Sequence, residues 1–404
     1  MGCLRAFVKD DIPRVAQLYW QFLQGQKGPY PPGLEAYFQE VFFHNPWFDS
    51  SIASLVYEQR QRGVVGFLGI VPRPMSMKGK PIRAAFGSSL VVHPDCRSSL
   101  AGLSLLAAFM NGRQDLALTD TANRLSQQIW VAMGGSTSAV YGMQWARPLR
   151  PGLYALHAMS RFGKGGFSAA CGALSKAIGG MVTRTPLASL HRSPEGITEE
   201  DLEIDTLLHS CPADSSGCYS LQPEYSRESL RWLLDFMSRM KAYGTLRKVA
   251  LRDVTRQLIG WFIYYVKRGG IADVVQVEAA KSRMKTVLDY LFCDALNRGA
   301  IGVHGRLEIR YAQELSEARC SFWGTTPLLF RARDPELARL VQHGDTFLSR
   351  LDGEWCLKYG ARGHGRPNVV LDFANGKEPS SEAPERSRPR NSQPSQPLQA
   401  KAAK

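Results

Sequence analysis

Leu90 to Met110 constrains the fold more tightly than any other stretch of this chain of 404 residues. The small and β-branched residues from Ala84 to Val92 suit a buried strand, which Pro94 ends because it has no N–H for a ladder. Beyond the loop, Leu103, Leu106 and Met110 fall on one face at helical spacing, with Leu105 and Phe109 beside them, so this helix must pack on a sheet. The loop between carries Arg97 and the small residues Ser98, Ser99, Ala101 and Gly102. Small side chains let backbone amides approach an anion, and a helix N-terminus adds its dipole. Two readings of the loop follow: a seat for a pyrophosphate, or an ordinary strand-to-helix turn with a surface arginine.

The order of elements sets the fold class. Leu4 to Val8 reads as a strand and Ile12 to Phe22 as a helix; Leu34 to Phe43 reads as a second helix. Strands follow at 52–57 and 64–71, then a hairpin turn at 76–81 leads into the central strand. A strand at 116–119, a helix at 122–133 and a closing pair of strands at 140–145 and 153–159 complete a first unit ending near Phe162. A second unit repeats the order: helix 226–240, strands 247–252, 257–266 and 272–277, helix 282–297 and strand 300–305. The expectation is therefore an α/β chain with mixed sheets flanked by helices. It divides into a first domain at 1–162, a linking helix and connector at 163–217, a second domain at 218–375 and a disordered tail at 376–404. That tail is rich in Ser, Pro, Glu and Arg and cannot bury enough apolar surface to offset ordering.

The pattern Leu90-x-Val92-x-Pro94-x-x-Arg97-x-x-x-x-Gly102 resembles the acyl-CoA motif of the GNAT superfamily of N-acyltransferases. Leu100 stands where that loop usually has its middle glycine. A second match is Asp120-Thr121-Ala122-Asn123, with Gly134 and Gly135 downstream. The resemblance implies two GNAT-like domains in tandem, the first binding acetyl-CoA or another acyl-CoA as substrate. The CoA-binding residues would be Leu90, Val91, Val92, Arg97, Ser98, Ser99, Leu100, Ala101, Gly102 and Asn123. The second domain's corresponding stretch, Glu278-Ala279-Ala280-Lys281-Ser282-Arg283, has no glycine to admit a pyrophosphate, so tight cofactor binding is not expected there.

The implied reaction is direct attack of a small molecule's or sugar's amine on the thioester, with backbone N–H groups near Val91 and Val92 holding the developing oxyanion. Catalytic groups depart from the family. Trp130 occupies the position of the usual acid tyrosine, and an indole N–H is not a useful acid. Ser88 and Ser89 replace the usual strand carboxylate. Candidates for the missing roles are Tyr141 as acid, Asp120 as base, Ser89 in the carboxylate's place, and His93 beside the loop. Asp120 and His93 also have structural readings, as a helix cap and a strand-end residue. Two other functions stay open: a non-catalytic acyl-CoA-binding protein, and an aminoacyl-tRNA-dependent transferase of the peptidoglycan-bridge type.

Composition narrows the partners. The net charge is +14, but the basic residues are scattered, densest at Arg147, Arg150, Arg161, Lys164 and Arg184, so nucleic acid is not an expected partner. The eight cysteines show no C-x-x-C spacing and no amino-terminal signal peptide is evident, which fits a reducing cytoplasm. Ala6 breaks the myristoylation pattern at Gly2-Cys3. His209, Cys211 and Cys218 lack a fourth ligand, so no metal is expected. The apolar segment 163–190 is interrupted by Lys164, Lys176 and Arg184 and is too short between charges to span a bilayer; weak interfacial contact through 165–185 is the alternative.

Overall fold

The computed structural model describes residues 2–96, 100–162, 194–210 and 219–359. The linking helix, the Cys211 and Cys218 pair, the tail and loop residues Arg97, Ser98 and Ser99 lie outside them.

The first half runs β1 (Gly2–Ala6), α1 (Ile12–Leu18), α2 (Gly33–Phe43), β2 (Leu55–Gln59), β3 (Gly63–Met77), β4 (Lys80–Val92), α3 (Ala101–Met110), β5 (Leu116–Thr119), α4 (Arg124–Ala132), β6 (Ser136–Ser138), β7 (Met143–Pro148) and α5 (Pro151–Phe162). The expected central strand and the helix that follows its loop are both present. Lys78 and Gly79 turn the β3–β4 hairpin with left-handed backbone. Residues 153–159 are not a strand: Pro151 is the first helical residue, where its missing N–H has no partner to lose.

The second half runs β8 (Thr198–Asp201), α6 (Ile204–His209), β9 (Leu221–Pro223), α7 (Arg227–Ser238), β10 (Thr245–Arg252), β11 (Leu258–Val266), β12 (Ile271–Ala279), α8 (Lys281–Asn297), β13 (Gly302–Arg306), α9 (Ala312–Glu317), β14 (Ser321–Gly324), β15 (Leu328–Ala332) and α10 (Pro335–His343). Ser226 and Ser229 cap α7 reciprocally, each side chain accepting the other's N–H, as the sequence before an apolar-periodic run suggests.

Two mixed sheets result, ordered β1-β2-β3-β4-β5-β15-β6 with β9 beside β3, and β14-β7-β13-β12-β11-β10-β8. They interleave the chain rather than dividing it at residue 162. β7 leaves the first half to pair antiparallel with β13, and β15 returns from the second half to pair with β5 and β6. β8 lies within the expected connector yet forms an edge of the second sheet by pairing with β10.

One aromatic-rich core binds the sheets together. Phe7, Phe38, Phe42 and Phe67 of the first half share a buried cluster with Leu233, Phe236, Trp261 and Tyr265 of the second. The outer faces are closed separately, by α3 over the first sheet and α8 over the second. Burial of so many large side chains at about 1.5 to 3 kcal/mol each makes this shared core the main tie between the halves.

Candidate active site

Among the described residues each sheet contains a single parallel strand pair, and each pair opens after three or four residues. In the first, Ala84 to Phe86 of β4 pair with Leu116 to Leu118 of β5; β4 then continues to Val92 without β5. Its antiparallel partner shows why it turns away. Phe67 of β3 faces Val91 while Gly69 faces Ser88, so β4 carries one extra residue, a β-bulge at Ser89 and Leu90. Ser89 has φ 54°, the left-handed region that non-glycine residues seldom adopt and that often marks functional sites.

The splay between β4 and β5 is crossed by the chain's last described segment, the strap from Thr346 to Tyr359. Asp352 anchors it: its carboxylate accepts the Ser349 amide at 2.7 Å, and its carbonyl accepts Arg73 Nε at 3.0 Å. Tyr37 donates to the Leu357 carbonyl at 2.9 Å. Held in this way, the strap presents Glu354 to the bulge, where its carboxylate accepts the Ser89 amide. Burial, chiefly, raises the Glu354 carboxyl to about 7, with Asp120 raising it further and Lys358 and the Ser89 amide opposing. A carboxylate placed and tuned like this has the affinity of a general base for neutral pH.

Asp120 stands where β5 ends and is almost wholly enclosed. Its Oδ1 accepts the Glu354 amide at 3.2 Å and its Oδ2 accepts Arg306 Nη2 at 2.8 Å. Gly353 passes so close that a Cβ there would lie 2.1 Å from Asp120 Oδ2, so only glycine lets the strap reach this depth. Asp120 is thus an organiser of the strap and not the cap of α4. That cap is Asn123, whose side chain accepts the Ser126 amide at 2.8 Å.

The structure brings Ser89 and Asp120 together with Glu354. Leu90, Val91 and Val92 line the free run of β4; Val91 faces the aromatic core and Leu90 and Val92 pack on the α3 side. Leu100 is exposed at the start of α3, and Ala101 and Gly102 form its first turn. Among the described residues, a Cβ on Gly102 would approach nothing nearer than Val92 Cγ2 at 3.6 Å. Tyr141 is buried among Phe86, Leu118 and Phe330, donates to the Thr346 carbonyl at 2.9 Å, and is raised to about 12 by burial. Trp130 is a core residue whose Nε1 donates to the Phe330 carbonyl at 3.2 Å. His93 packs edge-on against Phe22 and its amide continues the ladder to Val65, the strand-end reading.

Glu354 is the candidate residue that sequence reasoning missed. Nothing near it in the chain resembles a motif, and only the tertiary path of the strap places it where the strand carboxylate is lacking.

The second splay has the same plan and a different filling. Ile271 to Val274 of β12 pair with Gly302 to Gly305 of β13, and Val275 is an extra residue against β11. Tyr311 reaches the freed edge of β12, its hydroxyl 2.9 Å from the Ala279 carbonyl and 2.7 Å from the Glu278 carboxylate, sharing its one proton between them. A cavity of about 30 Å³ remains, bordered by Gln276, Met284, Leu288, Glu308 and Ser349, room for one or two waters.

Among the described residues no group of three His, Cys, Asp or Glu side chains is placed to hold a metal, and no helix is long and apolar enough to cross a membrane.

No protein-family model matches the chain, and no curated protein is similar to it. Solved structures are similar in fold. A GCN5-related N-acetyltransferase from Anabaena variabilis superposes with a TM-score of 0.55 at 12% identity, over 83% of this chain and 73% of that one. A probable N-acyltransferase from Enterococcus faecalis gives 0.54 at 8%, over 82% and 73%. A GCN5-related N-acetyltransferase from Kribbella flavida gives 0.52 at 12%, over 82% and 71%. The chain has the GNAT fold, and among the described residues it forms two sheets, each with one parallel strand pair that splays beside a bulge.

Proposed function

We propose that this protein is an acyl-CoA-dependent N-acyltransferase that acylates the amine of a small molecule or sugar, with Glu354 as its general base. The observation that carries the reading is the Glu354 carboxylate, tuned to about 7 and held against the Ser89 amide at the bulge of β4.

The thioester lies in the first splay, its pyrophosphate at Arg97 to Gly102 and the amides of α3. The amine nitrogen attacks the thioester carbonyl; the C–N bond forms and the C–S bond breaks. The amine proton passes to Glu354, directly or through one water, and the sulfur leaves as thiolate. Backbone N–H groups at Val91 and Val92 meet the oxyanion. Asp120 holds the strap in place, and Asn123 shapes the start of α4 beside the splay. Tyr141, with its hydroxyl on the Thr346 carbonyl, anchors the strap where it begins. The second domain takes no CoA, because Tyr311 occupies the strand edge that a pantetheine arm would need.

The test is acyl-CoA consumption by the full chain against a panel of amines, paired with calorimetric CoA binding. Turnover lost in Glu354→Gln with binding retained supports the reading. Binding with no turnover by the parent on any amine favours the second reading, an acyl-CoA-binding protein, which Trp130's burial in the acid position also favours. Failure to bind CoA overturns both.

A further inference from the structure

Arg306 belongs to β13 in the second sheet, yet its guanidinium serves the first. Nη2 meets Asp120 Oδ2 at 2.8 Å and Nη1 donates to the Ser349 carbonyl at 3.4 Å. The pair is closed to solvent, with side chains 13% and 2% exposed. Asp120 in turn holds the Glu354 amide, and Gly353 seats against the same carboxylate. A continuous set of contacts therefore runs from the end of β13, through the end of β5, to the carboxylate at the β4 bulge.

We propose that Arg306 is a positioning residue through which the second sheet sets both the placement and the protonation of Glu354, by neutralising Asp120 and gripping the strap. The inference rests on the reading of Glu354 as the base. The groups facing Glu354 are Asp120 from the end of β5, Lys358 on the strap, Tyr37 from α2 and the Ser89 amide from β4. Lys358 opposes the proton and Asp120 favours it. Arg306 is the cation bound directly to Asp120, so its removal leaves that negative charge uncompensated in a weakly screened site. The Asp120–Glu354 pair then retains a proton at a pH where the parent releases it.

The experiment follows the Glu354 carboxyl by ¹³C NMR titration of the full chain, its resonance assigned by its loss in Glu354→Gln. Arg306→Met should raise the midpoint by about one unit, a tenfold gain in proton affinity. Adding Asp120→Asn should bring it back to the parent value or below, which a merely structural role would not do. Arg306→Lys, keeping a cation, should stay near the parent. Asp120→Asn alone should lower the midpoint and supplies the test should Arg306→Met fail to fold. An unmoved midpoint in Arg306→Met or in Asp120→Asn overturns the proposal. No acceptor amine enters this titration, so the two failures are separable: full turnover in Glu354→Gln would remove the base assignment while the titration judged Arg306.

Discussion

Replacing Glu354 by glutamine should abolish most turnover and at the same time stabilise the fold at neutral pH. The Glu354 carboxyl shifts from an ordinary 4.5 to about 7, and each unit is worth about 1.4 kcal/mol. The raised value means that the folded state holds a proton which the unfolded chain has released. Below pH 4.5 both states are protonated and the residue contributes nothing. Between there and pH 7 the penalty grows with pH, and above 7 it is complete, at about 3 kcal/mol; partial exposure lowers this to about 1 to 3 kcal/mol. Glutamine has no such proton, and its side-chain oxygen can still accept the Ser89 amide. The thermal midpoint of Glu354→Gln should therefore match the parent near pH 4.5 and exceed it increasingly up to pH 8. Activity should move the other way. Loss of a general base lowers the rate by about a hundredfold to ten-thousandfold, and the parent's kcat/KM should fall about tenfold per pH unit below 7 while the variant's residual rate stays flat. Scanning calorimetry and thioester consumption over this pH range make the check. A stability difference that does not vary with pH refutes the desolvated carboxylate, and an undiminished rate refutes the base.

Gly353→Ala should lower turnover with little change in CoA affinity, because the added Cβ displaces the strap from Asp120; steady-state kinetics beside calorimetry decide it, and unchanged kcat would show that the strap tolerates the shift. Arg97→Ala should weaken CoA binding by about 1.5 to 3 kcal/mol, the scale of a charge-assisted hydrogen bond, and Gly102→Val by at least as much; an unaltered dissociation constant would remove the phosphate site from the loop. Tyr141→Phe distinguishes anchor from acid: loss of the bond to Thr346 should cost about 1 kcal/mol of stability with a modest change in rate, whereas a drop of a hundredfold or more at unchanged midpoint would restore the acid role.

The strand and the helix between Ala84 and Met110 were legible because their signals are local. β-branched runs, a proline stop and helical spacing act over a few residues, and neighbouring positions carry them all. The repetition of element order in the second half was legible for the same reason. Strand partners were not. Residues 140–145 read as a closing strand of the first half, yet the strand at 143–148 pairs in the second sheet, and a strand at 328–332 that was not read from the sequence pairs in the first; nothing in a strand's composition names its partner. Trp130 occupied a catalytic position by spacing and proved to be a wedge between α4 and β15, since burial depends on what packs opposite. The site divides along the same line. Sequence alone determined the fold class, the central strand with its following helix, and the absence of a strand carboxylate beside Leu90. Only the tertiary structure returned that carboxylate, because Glu354 reaches Ser89 by way of Gly353, Asp120 and an arginine from the other sheet, and its proton affinity comes from enclosure by groups that are distant in the chain.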